Sequence, residues 1–345
     1  MRPTHLAEFL SRAIAARLPI LVTGCPGVGK SDCISQAAQT AGADLILSHP
    51  AVADPTDAKG LPWVSADKKS ATFLPFGELS RAIKATKPTV WFLDDLGQAP
   101  PSVQASFMQL LLARRVNGHA LPECVTFIAA TNRRTDRAGV TGILEPVKSR
   151  FVSIVELESN LDDWCGWAFT AGIPAELIAF LRFRSDLLCA FTPSADLTNC
   201  PLPRTWSHVA KLLALNLPSG IQHAAIAGAV GEGAAVEFGA FLRMFLTLPS
   251  IGGILLDPDS GTIPTEPAML YATVTGLGMR ATPQNFGRIA RYATRLTDAQ
   301  HGEFAVLLMR DSARRDLAIL QSRAFVKAIS GTTLGHLIAG SGGAA

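Results

Sequence analysis

Residues 1–160 predict an α/β fold, with a five-stranded parallel sheet covered by helices, and the rest of the chain predicts helices. Two observations support this fold class. Short apolar runs typical of buried strands alternate with segments of helical periodicity, a pattern that favours a parallel sheet with helices on both faces. From Leu161 onward the strand pattern stops. The 345 residues are enough for two or three domains.

The predicted elements of the first part follow a regular order. An amphipathic helix over residues 4–16 comes first, because Leu6, Phe9 and Leu10 share one helix face at spacings of three and four residues. The predicted strands comprise residues 19–23, 44–48, 89–95, 123–130 and 151–157. The predicted helices between them comprise residues 32–40, 77–84 and 102–115.

A long insertion separates the second strand from the next predicted helix. Residues 48–75 are rich in Pro, Gly, Asp and Lys. Within them, residues 61–65 and 71–74 predict a β-hairpin with a charged tip, because two short apolar runs flank a polar stretch. Further along the chain, Asn117-Gly118 predicts a tight turn.

Composition limits the possible functions. The net charge of +3 gives none of the strong positive field of a dedicated nucleic-acid binder. Charged residues make up 17%, against about 25% in typical soluble proteins, which favours contacts between subunits. No segment predicts a membrane span, and the first residues lead into an amphipathic helix rather than a signal sequence, so we expect a cytoplasmic protein. The six cysteines contain no C-x-x-C pair and are expected to be reduced thiols.

One stretch carries the strongest chemical signal. Residues 24–31, Gly-Cys-Pro-Gly-Val-Gly-Lys-Ser, match G-x-x-x-x-G-K-[ST], the phosphate-binding loop of nucleotide triphosphatases, between a predicted strand and a predicted helix. Glycines let backbone N–H groups face phosphate oxygens, and the helix adds the positive end of its dipole. Lys30 can follow the β- and γ-phosphates of ATP, and the Ser31 hydroxyl can coordinate Mg²⁺. The predicted nucleotide-binding residues are Gly24, Cys25, Pro26, Gly27, Val28, Gly29, Lys30, Ser31 and Asp32.

Polar side chains also follow two later strands. Asp94 and Asp95 end the third predicted strand, where Asp94 can hold Mg²⁺ together with Ser31 and Asp95 can orient the attacking water. Asn132 follows the fourth strand and can hydrogen-bond the γ-phosphate or the same water. Because ligands bind at the carboxyl ends of parallel strands, we expect these groups to meet the phosphate loop.

An arginine near the fifth strand could stabilise charge on a transferring phosphoryl group, and the alternative is a surface arginine. Arg150 directly precedes that strand, and such a group accelerates the reaction by about 10³–10⁵-fold. Arg133, Arg134 and Arg137 lie close by in the chain and compete with Arg150 for the role.

Arg204 is a second candidate for phosphate recognition. Pro203 suits the first position of a helix, which places Arg204 in the first turn, where the helix dipole disfavours a cation. This unfavourable placement indicates an anion nearby, and bound phosphate is the natural candidate. The alternative is a solvent-exposed arginine with a small energetic penalty.

Together, the order of these motifs resembles that of an AAA+ ATPase, namely Walker A, Walker B, sensor 1, arginine finger and sensor 2. Finer features are similar to the MoxR branch of that superfamily. These features are residues 49–62, 76–79, 129–132 and 203–206. The resemblance covers residues 5–215.

The resemblance implies a domain organisation. Residues 1–160 would form the AAA+ core, with 48–75 as a hairpin insertion between the Walker motifs. Residues 161–250 would form a helical lid that carries sensor 2, and 251–345 a helical C-terminal region with a flexible Gly/Ser/Ala tail from Gly340.

The resemblance also implies a mode of action. The active unit would be a ring, usually a homohexamer, with ATP and Mg²⁺ bound between subunits, so that Arg150 acts on the neighbour's nucleotide. MoxR-like ATPases work as chaperones in metal-cofactor insertion or complex maturation, commonly with a partner that carries a von Willebrand factor A-type domain. The client protein is not indicated by the sequence.

One departure from the family pattern leaves three functions open. The family usually has Asp-Glu at the end of the Walker B strand, whereas this chain has Asp94-Asp95, and the shorter carboxylate retreats by about 1 Å, which can cost about 10²-fold in rate. The leading hypothesis is an ATP-driven remodelling ring, and the second is an ATP-gated assembly scaffold with little turnover. The third is a DNA-remodelling motor, supported only by basic residues. They are Lys68, Lys69, Arg310, Arg314, Arg315 and Arg323.

Overall fold

A parallel five-stranded sheet organises the first of two units in this protein. The computed structural model describes residues 1–65, 68–136, 139–194, 196–248 and 250–341. The first unit comprises Met1–Asn160 and Phe191–Asp196, and the second comprises Leu161–Ala190 and Leu197–Ala345.

The nine strands of the described first unit form one five-stranded sheet and two small hairpins. In chain order they are β1 (Ile20–Gly24), β2 (Asp44–Ser48), β3 (Leu61–Val64), β4 (Ala71–Leu74), β5 (Thr89–Leu93), β6 (Arg115–Val116), β7 (His119–Ala120), β8 (Val125–Asn132) and β9 (Ser153–Glu156). The helices of this unit are α1 (Pro3–Ala15), α2 (Lys30–Thr40), α3 (Pro55–Lys59), α4 (Gly77–Ile83), α5 (Pro101–Ala113) and α6 (Glu145–Lys148).

The main sheet has the strand order β2-β5-β8-β1-β9, and all of its pairs are parallel. The strands β5 and β8 are buried along their whole length, as expected for a sheet with helices on both faces. The register places Gly24 opposite Asn132 and Thr23 opposite Glu156. The predicted α/β fold class is therefore confirmed, and the carboxyl ends of the strands meet at one edge.

Two small hairpins extend from this core. The predicted hairpin is present as β3 and β4, in antiparallel pairing, although Ala66 and Asp67 of its tip lie outside the described residues. A second hairpin, β6 and β7, was predicted only as a turn, and Asn117 and Gly118 form that turn with φ angles of 46° and 86°. Positive φ at both positions is typical of a type I′ turn.

The hairpin of β6 and β7 is hydrogen-bonded to the end of α3 and to β4 of the first hairpin. Asn117 Nδ2 donates to the Lys59 carbonyl at 2.8 Å, and His119 Nε2 lies 2.8 Å from the Phe73 carbonyl oxygen. These contacts support the hairpin of β3 and β4, whose residues are all exposed. Trp63 and Val64 are 59% and 61% exposed, which is unusual for large apolar side chains next to one another.

The second unit is built from helices, and its described residues contain no strand. Its helices are α7 (Leu161–Thr170), α8 (Ala175–Phe183), α9 (Pro203–Leu213), α10 (Ser219–Val230), α11 (Glu232–Phe245), α12 (Ile251–Leu256), α13 (Pro267–Met279), α14 (Phe286–Asp298), α15 (Gly302–Arg315), α16 (Arg323–Ile329) and α17 (Thr333–Ser341). Throughout the described ranges, no helix is both long enough and apolar enough to cross a membrane.

Two apolar clusters fill the helical unit. The first surrounds Phe180, whose ring centroid lies 5.5 Å from that of Trp206 and 5.0 Å from that of Phe238. The second contains Phe286, Tyr292 and Phe304. The helix α13 contributes buried residues to both clusters, so the boundary at residue 250 between lid and C-terminal region stays a prediction.

The first two residues of the predicted flexible tail are helical. The helix α17 continues to Ser341, so Gly340 and Ser341 lie in a helix rather than in a flexible tail. The remaining four residues, 342–345, lie outside the described part of the chain.

A buried ion pair connects helices of the second unit. Arg182 on α8 donates from Nη1 to Asp311 Oδ2 at 2.5 Å and from Nη2 to Asp311 Oδ1 at 2.8 Å. A further bond from Nη1 reaches Thr275 Oγ1 on α13 at 2.9 Å. The two charged side chains are 4% and 0% exposed, so each compensates the charge that desolvation would otherwise make costly for the other.

We expect Arg182→Met to lower the free energy of unfolding by about 3–5 kcal/mol, because it leaves the Asp311 carboxylate buried without a counter-charge. Urea unfolding measures this change. The matched control is the double variant Arg182→Met with Asp311→Leu, which removes both charges and should recover most of the lost stability. Equal destabilisation in the single and double variants would contradict the expectation.

Candidate nucleotide site

The phosphate loop lies between β1 and α2, where the sequence predicts it. Gly24 ends β1, and a Cβ there would approach the Leu157 carbonyl oxygen to 2.7 Å, closer than real Cβ contacts allow. Gly29, at the start of α2, has a φ of +104°, in a region that disfavours L side chains. Two glycines of the motif are therefore required by the backbone geometry. Asp32 lies in the first turn of the helix, where a carboxylate suits the dipole.

The Lys30 ammonium connects the loop to the end of another strand. Its Nζ donates to the carbonyl oxygens of Gly24 and Cys25, each at 2.9 Å, and to Asn132 Oδ1 at 2.7 Å. Lys30 is 7% exposed, so these acceptors replace most of its hydration. The Asn132 position predicted from sequence therefore meets the loop directly.

Ser31 and Asp94 form the predicted cation-binding pair. Ser31 Oγ donates to Asp94 Oδ2 at 2.8 Å, and Asp94 Oδ1 accepts from the Asp95 backbone N–H at 3.1 Å. A hydroxyl and a carboxylate are hard oxygen ligands of the kind that Mg²⁺ prefers. Within the described residues, no group of three or more His, Cys, Asp or Glu side chains could hold a metal. The pair thus fits Mg²⁺, which usually takes its remaining ligands from water and substrate phosphates.

Asp95 adopts a left-handed backbone conformation, with φ 55° and ψ 35°, immediately before a short 3₁₀ turn at Leu96–Gln98. Aspartate is enriched among the non-glycine residues that tolerate this region. Its Oδ1 accepts from Asn132 Nδ2 at 3.3 Å. The Asn132 amide therefore bridges the Lys30 ammonium and the Asp95 carboxylate.

The structure brings together one part of the predicted site. One hydrogen-bonded set, which passes through Asp95, links five residues near the ends of β1, β5 and β8. They are Lys30, Asn132, Asp95, Asp94 and Ser31.

Arg150 is not part of this hydrogen-bonded set, and its contacts are with the end of its own helix, α6. Its Nη1 donates to the Pro146 carbonyl and lies 3.3 Å from Ser149 Oγ, while its Nε is buried with no hydrogen-bond partner among the described residues. Arg204, the second residue of α9, is exposed and lies in the helical unit. Neither arginine is shown at the phosphate loop, and their roles stay predictions.

The other arginine-finger candidates differ from each other. Arg133 is bound within its own chain: Nε lies 3.1 Å from both Asp136 carboxylate oxygens, and Nη1 donates to Glu156 Oε1 at 3.0 Å. The hydrogen bonds to Asp136 are the main cause that raises the pKa of Arg133 above its usual value. Arg134 is exposed, and Arg137 lies outside the described residues.

Gly97 also belongs to the site, although its sequence context did not single it out. A Cβ at this position would lie 2.2 Å from Thr131 Oγ1 and 3.2 Å from Val140 Cγ1. The turn after Asp95 therefore packs against the residue that precedes Asn132. The signal in the sequence was a glycine two residues after the carboxylates, which is too common to identify a close approach.

Comparison with known proteins agrees with this geometry. The family model described as "AAA domain (dynein-related subfamily)" matches residues 19–151, which include the loop, both carboxylates and Asn132. Residues 19–151 form an AAA domain. The match ends before the helical unit begins at Leu161. No curated protein matches the chain.

Solved structures similar to the chain are distant. A point variant of RuvB from Thermotoga maritima is 14% identical, covering 80% of this chain and 81% of that protein with a TM-score of 0.39. NtrX from Brucella abortus in complex with ADP is 15% identical, covering 96% of this chain and 68% of that protein with a TM-score of 0.43. At these scores neither likeness carries an argument about function.

We expect Gly97→Ala to disturb the AAA domain at its site, because the added methyl group collides with Thr131 beside Asn132. Nucleotide turnover should fall by about tenfold or more, since displacements near 1 Å can cost about 10²-fold. Adding Thr131→Ala removes the Oγ1 contact and should restore part of the activity. Steady-state phosphate release measures both variants, and normal turnover in Gly97→Ala would show that the close approach does not matter.

Proposed function

We propose that the protein is an AAA+ ATPase that binds ATP and Mg²⁺ at residues 24–31 and uses hydrolysis to remodel or mature a partner protein. The observation that carries this proposal is the Asn132 amide, which bridges the loop lysine and the Asp95 carboxylate. A phosphate loop alone supports binding. A carboxylate and an amide fixed beside it add the groups that position water for phosphoryl transfer.

Binding would begin at the loop. Backbone N–H groups of the loop face the phosphates, and Lys30 supplies a positive charge for the β- and γ-phosphates. Ser31 and Asp94 would hold Mg²⁺ through their oxygen atoms. When bound, Mg²⁺ would neutralise charge that develops on the phosphate oxygens.

Hydrolysis would depend on Asp95 and Asn132. Asp95 accepts a proton from, or orients, the attacking water, and Asn132 holds both the carboxylate and the Lys30 ammonium in place. In this arrangement the same amide that senses the γ-phosphate also fixes the water-activating group. Loss of either residue would therefore affect turnover more than binding.

A ring of subunits would complete the site. In the AAA+ arrangement that the sequence resembles, an arginine of one subunit acts on the nucleotide of its neighbour, and we assign that role to Arg150. Its Nη1 bonds to the Pro146 carbonyl and Ser149 Oγ of its own helix end, so the guanidinium would have to leave these acceptors to reach a neighbour. Arg134 remains the exposed competitor, and Arg204 is proposed as the γ-phosphate sensor of the helical unit.

Partner binding would use the hairpin of β3 and β4. Large exposed apolar side chains on a short ribbon are typical of protein interaction sites. The exposed set is Leu61, Trp63, Val64, Phe73 and Leu74. With the sequence resemblance to MoxR-like ATPases, this supports a homohexameric chaperone that acts in complex maturation or metal-cofactor insertion with a von Willebrand A-domain partner.

The two alternative functions have unequal support. An ATP-gated scaffold with little turnover is favoured by Asp95, whose carboxylate is one methylene shorter than the usual glutamate. The DNA-remodelling motor is weakened by the structure, since Arg310 of its basic cluster is paired with Asp162 at 2.7 Å.

Lys30→Ala should abolish ATP-dependent phosphate release and weaken ATP binding, because the loop loses its only side-chain cation for the β- and γ-phosphates. Phosphate release and calorimetric titration with ATP measure the two effects. Lys84→Ala, which removes an exposed lysine at the end of α4, is the matched control and should behave as wild type. Unchanged phosphate release in Lys30→Ala would show that the proposed mechanism is wrong.

Asp95→Asn should lower kcat by about 10²–10⁴-fold while ATP affinity stays close to wild type, because the amide keeps the shape of the side chain but cannot take a proton. The companion variant Asp95→Glu separates the leading proposal from the scaffold. Negligible wild-type turnover, ATP-driven assembly and a faster Asp95→Glu protein would together establish the scaffold. Appreciable wild-type turnover that falls in Asp95→Asn establishes the enzyme.

A further inference from the structure

Arg133 occupies an unusual position relative to the sheet. The strand β1 lies between β8 and β9, so the two strands that flank it are about 10 Å apart at the usual strand spacing. Arg133 directly follows β8, yet its Nη1 reaches Glu156 Oε1, at the end of β9, at 3.0 Å. Since Thr23 of β1 lies opposite Glu156, the side chain crosses the end of β1, where the phosphate loop begins.

The Arg133 side chain is also held by Asp136, close to the end of β8. Arg133 Nε donates to both oxygens of Asp136, and its Nη2 lies 3.0 Å from Asp136 Oδ1. Asp136 Oδ2 also accepts from the Arg133 backbone N–H at 3.2 Å, and the Asp136 N–H donates to the Arg133 carbonyl at 3.1 Å. Asp136 is 5% exposed. Asp136 therefore holds both the main chain and the side chain of Arg133, directly after β8.

The charge of Arg133 is compensated within its own subunit. Two carboxylates, one of them buried, share its guanidinium. An arginine finger needs donors that are free to meet a neighbour's nucleotide. Each nitrogen of its guanidinium already contacts Asp136 or Glu156, which argues against that role.

We propose that Arg133 is a positioning residue, which fastens the exit of β8 to β9 across the root of the phosphate loop and so holds the Asn132 amide on Lys30 and Asp95. The inference rests on the proposed ATPase function of the same site. Arg133 acts through the residue next to it in the chain and does not itself touch the nucleotide.

The consequence for the reaction follows from the two contacts of Asn132. Its Oδ1 lies 2.7 Å from Lys30 Nζ and its Nδ2 lies 3.3 Å from Asp95 Oδ1, so a shift of the strand end changes both distances. A displacement near 1 Å can cost about 10²-fold in rate. Nucleotide binding depends mainly on the loop backbone and Lys30, which Arg133 does not replace. Loss of Arg133 should therefore lower kcat and spare affinity.

The test compares Arg133→Gln, Asp136→Asn and the double variant in the full-length protein. We expect kcat for ATP to fall by about 10–100-fold in each single variant. The KM for ATP and the Kd for a fluorescent ADP analogue should stay within about threefold of wild type, a difference that costs under 1 kcal/mol. The double variant should be no worse than Arg133→Gln alone, because that single variant already removes the contact to Asp136. Arg133→Lys, which keeps the charge, should recover part of kcat.

Arg12→Gln is the matched control, because it removes an exposed arginine ion pair on α1, with Glu8, and should leave kcat unchanged. If Arg133→Gln does not yield folded protein, Glu156→Gln, which removes only the contact to β9, carries the same expectation. Wild-type kcat in Arg133→Gln would overturn the proposal, as would an equal loss of kcat and ADP affinity, which indicates direct nucleotide contact. Failure of the proposed function would look different, since the wild-type protein itself would then bind ADP without hydrolysing ATP, or bind no nucleotide.

Discussion

The Lys30 ammonium is the group on which the rest of the candidate site depends. Hydrogen bonds from its Nζ join the phosphate loop to the end of β8, and through the Asn132 amide they reach the Asp95 turn at the end of β5. A buried ammonium group is costly unless its donors are satisfied, so these acceptors are held close to it. One cation thereby couples the part of the site that binds phosphate to the part that positions water.

The sheet makes this convergence possible. Parallel strands place their carboxyl ends at one edge, and β1 lies next to both β8 and β9 in the sheet. The fully buried strands β5 and β8 form a rigid apolar support behind the polar groups at their ends. Contacts at the carboxyl ends of the strands add to this support. Gly97 packs against Thr131, and Arg133 bonds to Glu156. Small movements of these strand ends would therefore change the geometry of the Asn132 amide.

Different interactions stabilise the two units. The AAA domain depends on backbone pairing in the sheet and on polar contacts at its edge. The helical unit depends on two apolar clusters and on the buried pair of Arg182 and Asp311, which joins α8 to α15. The ribbon of β3 and β4 has less apolar support, since all of its residues are exposed, and the His119 ring bonds to the Phe73 carbonyl.

By itself, the sequence determined the features whose signals are local. The phosphate loop, the strand that ends at Asp94, the turn at Asn117-Gly118 and the helical second half all follow from residue types at short spacings. The sequence also predicts that Asn132 meets the phosphate loop, but only the tertiary structure decided which atoms of distant side chains bond to one another. Arg133 and Glu156 are 23 residues apart, and Lys30 and Asn132 are 102 residues apart. Their contacts follow from the strand order β8-β1-β9, which no local pattern encodes, because pairing between strands is settled by the packing of the whole sheet.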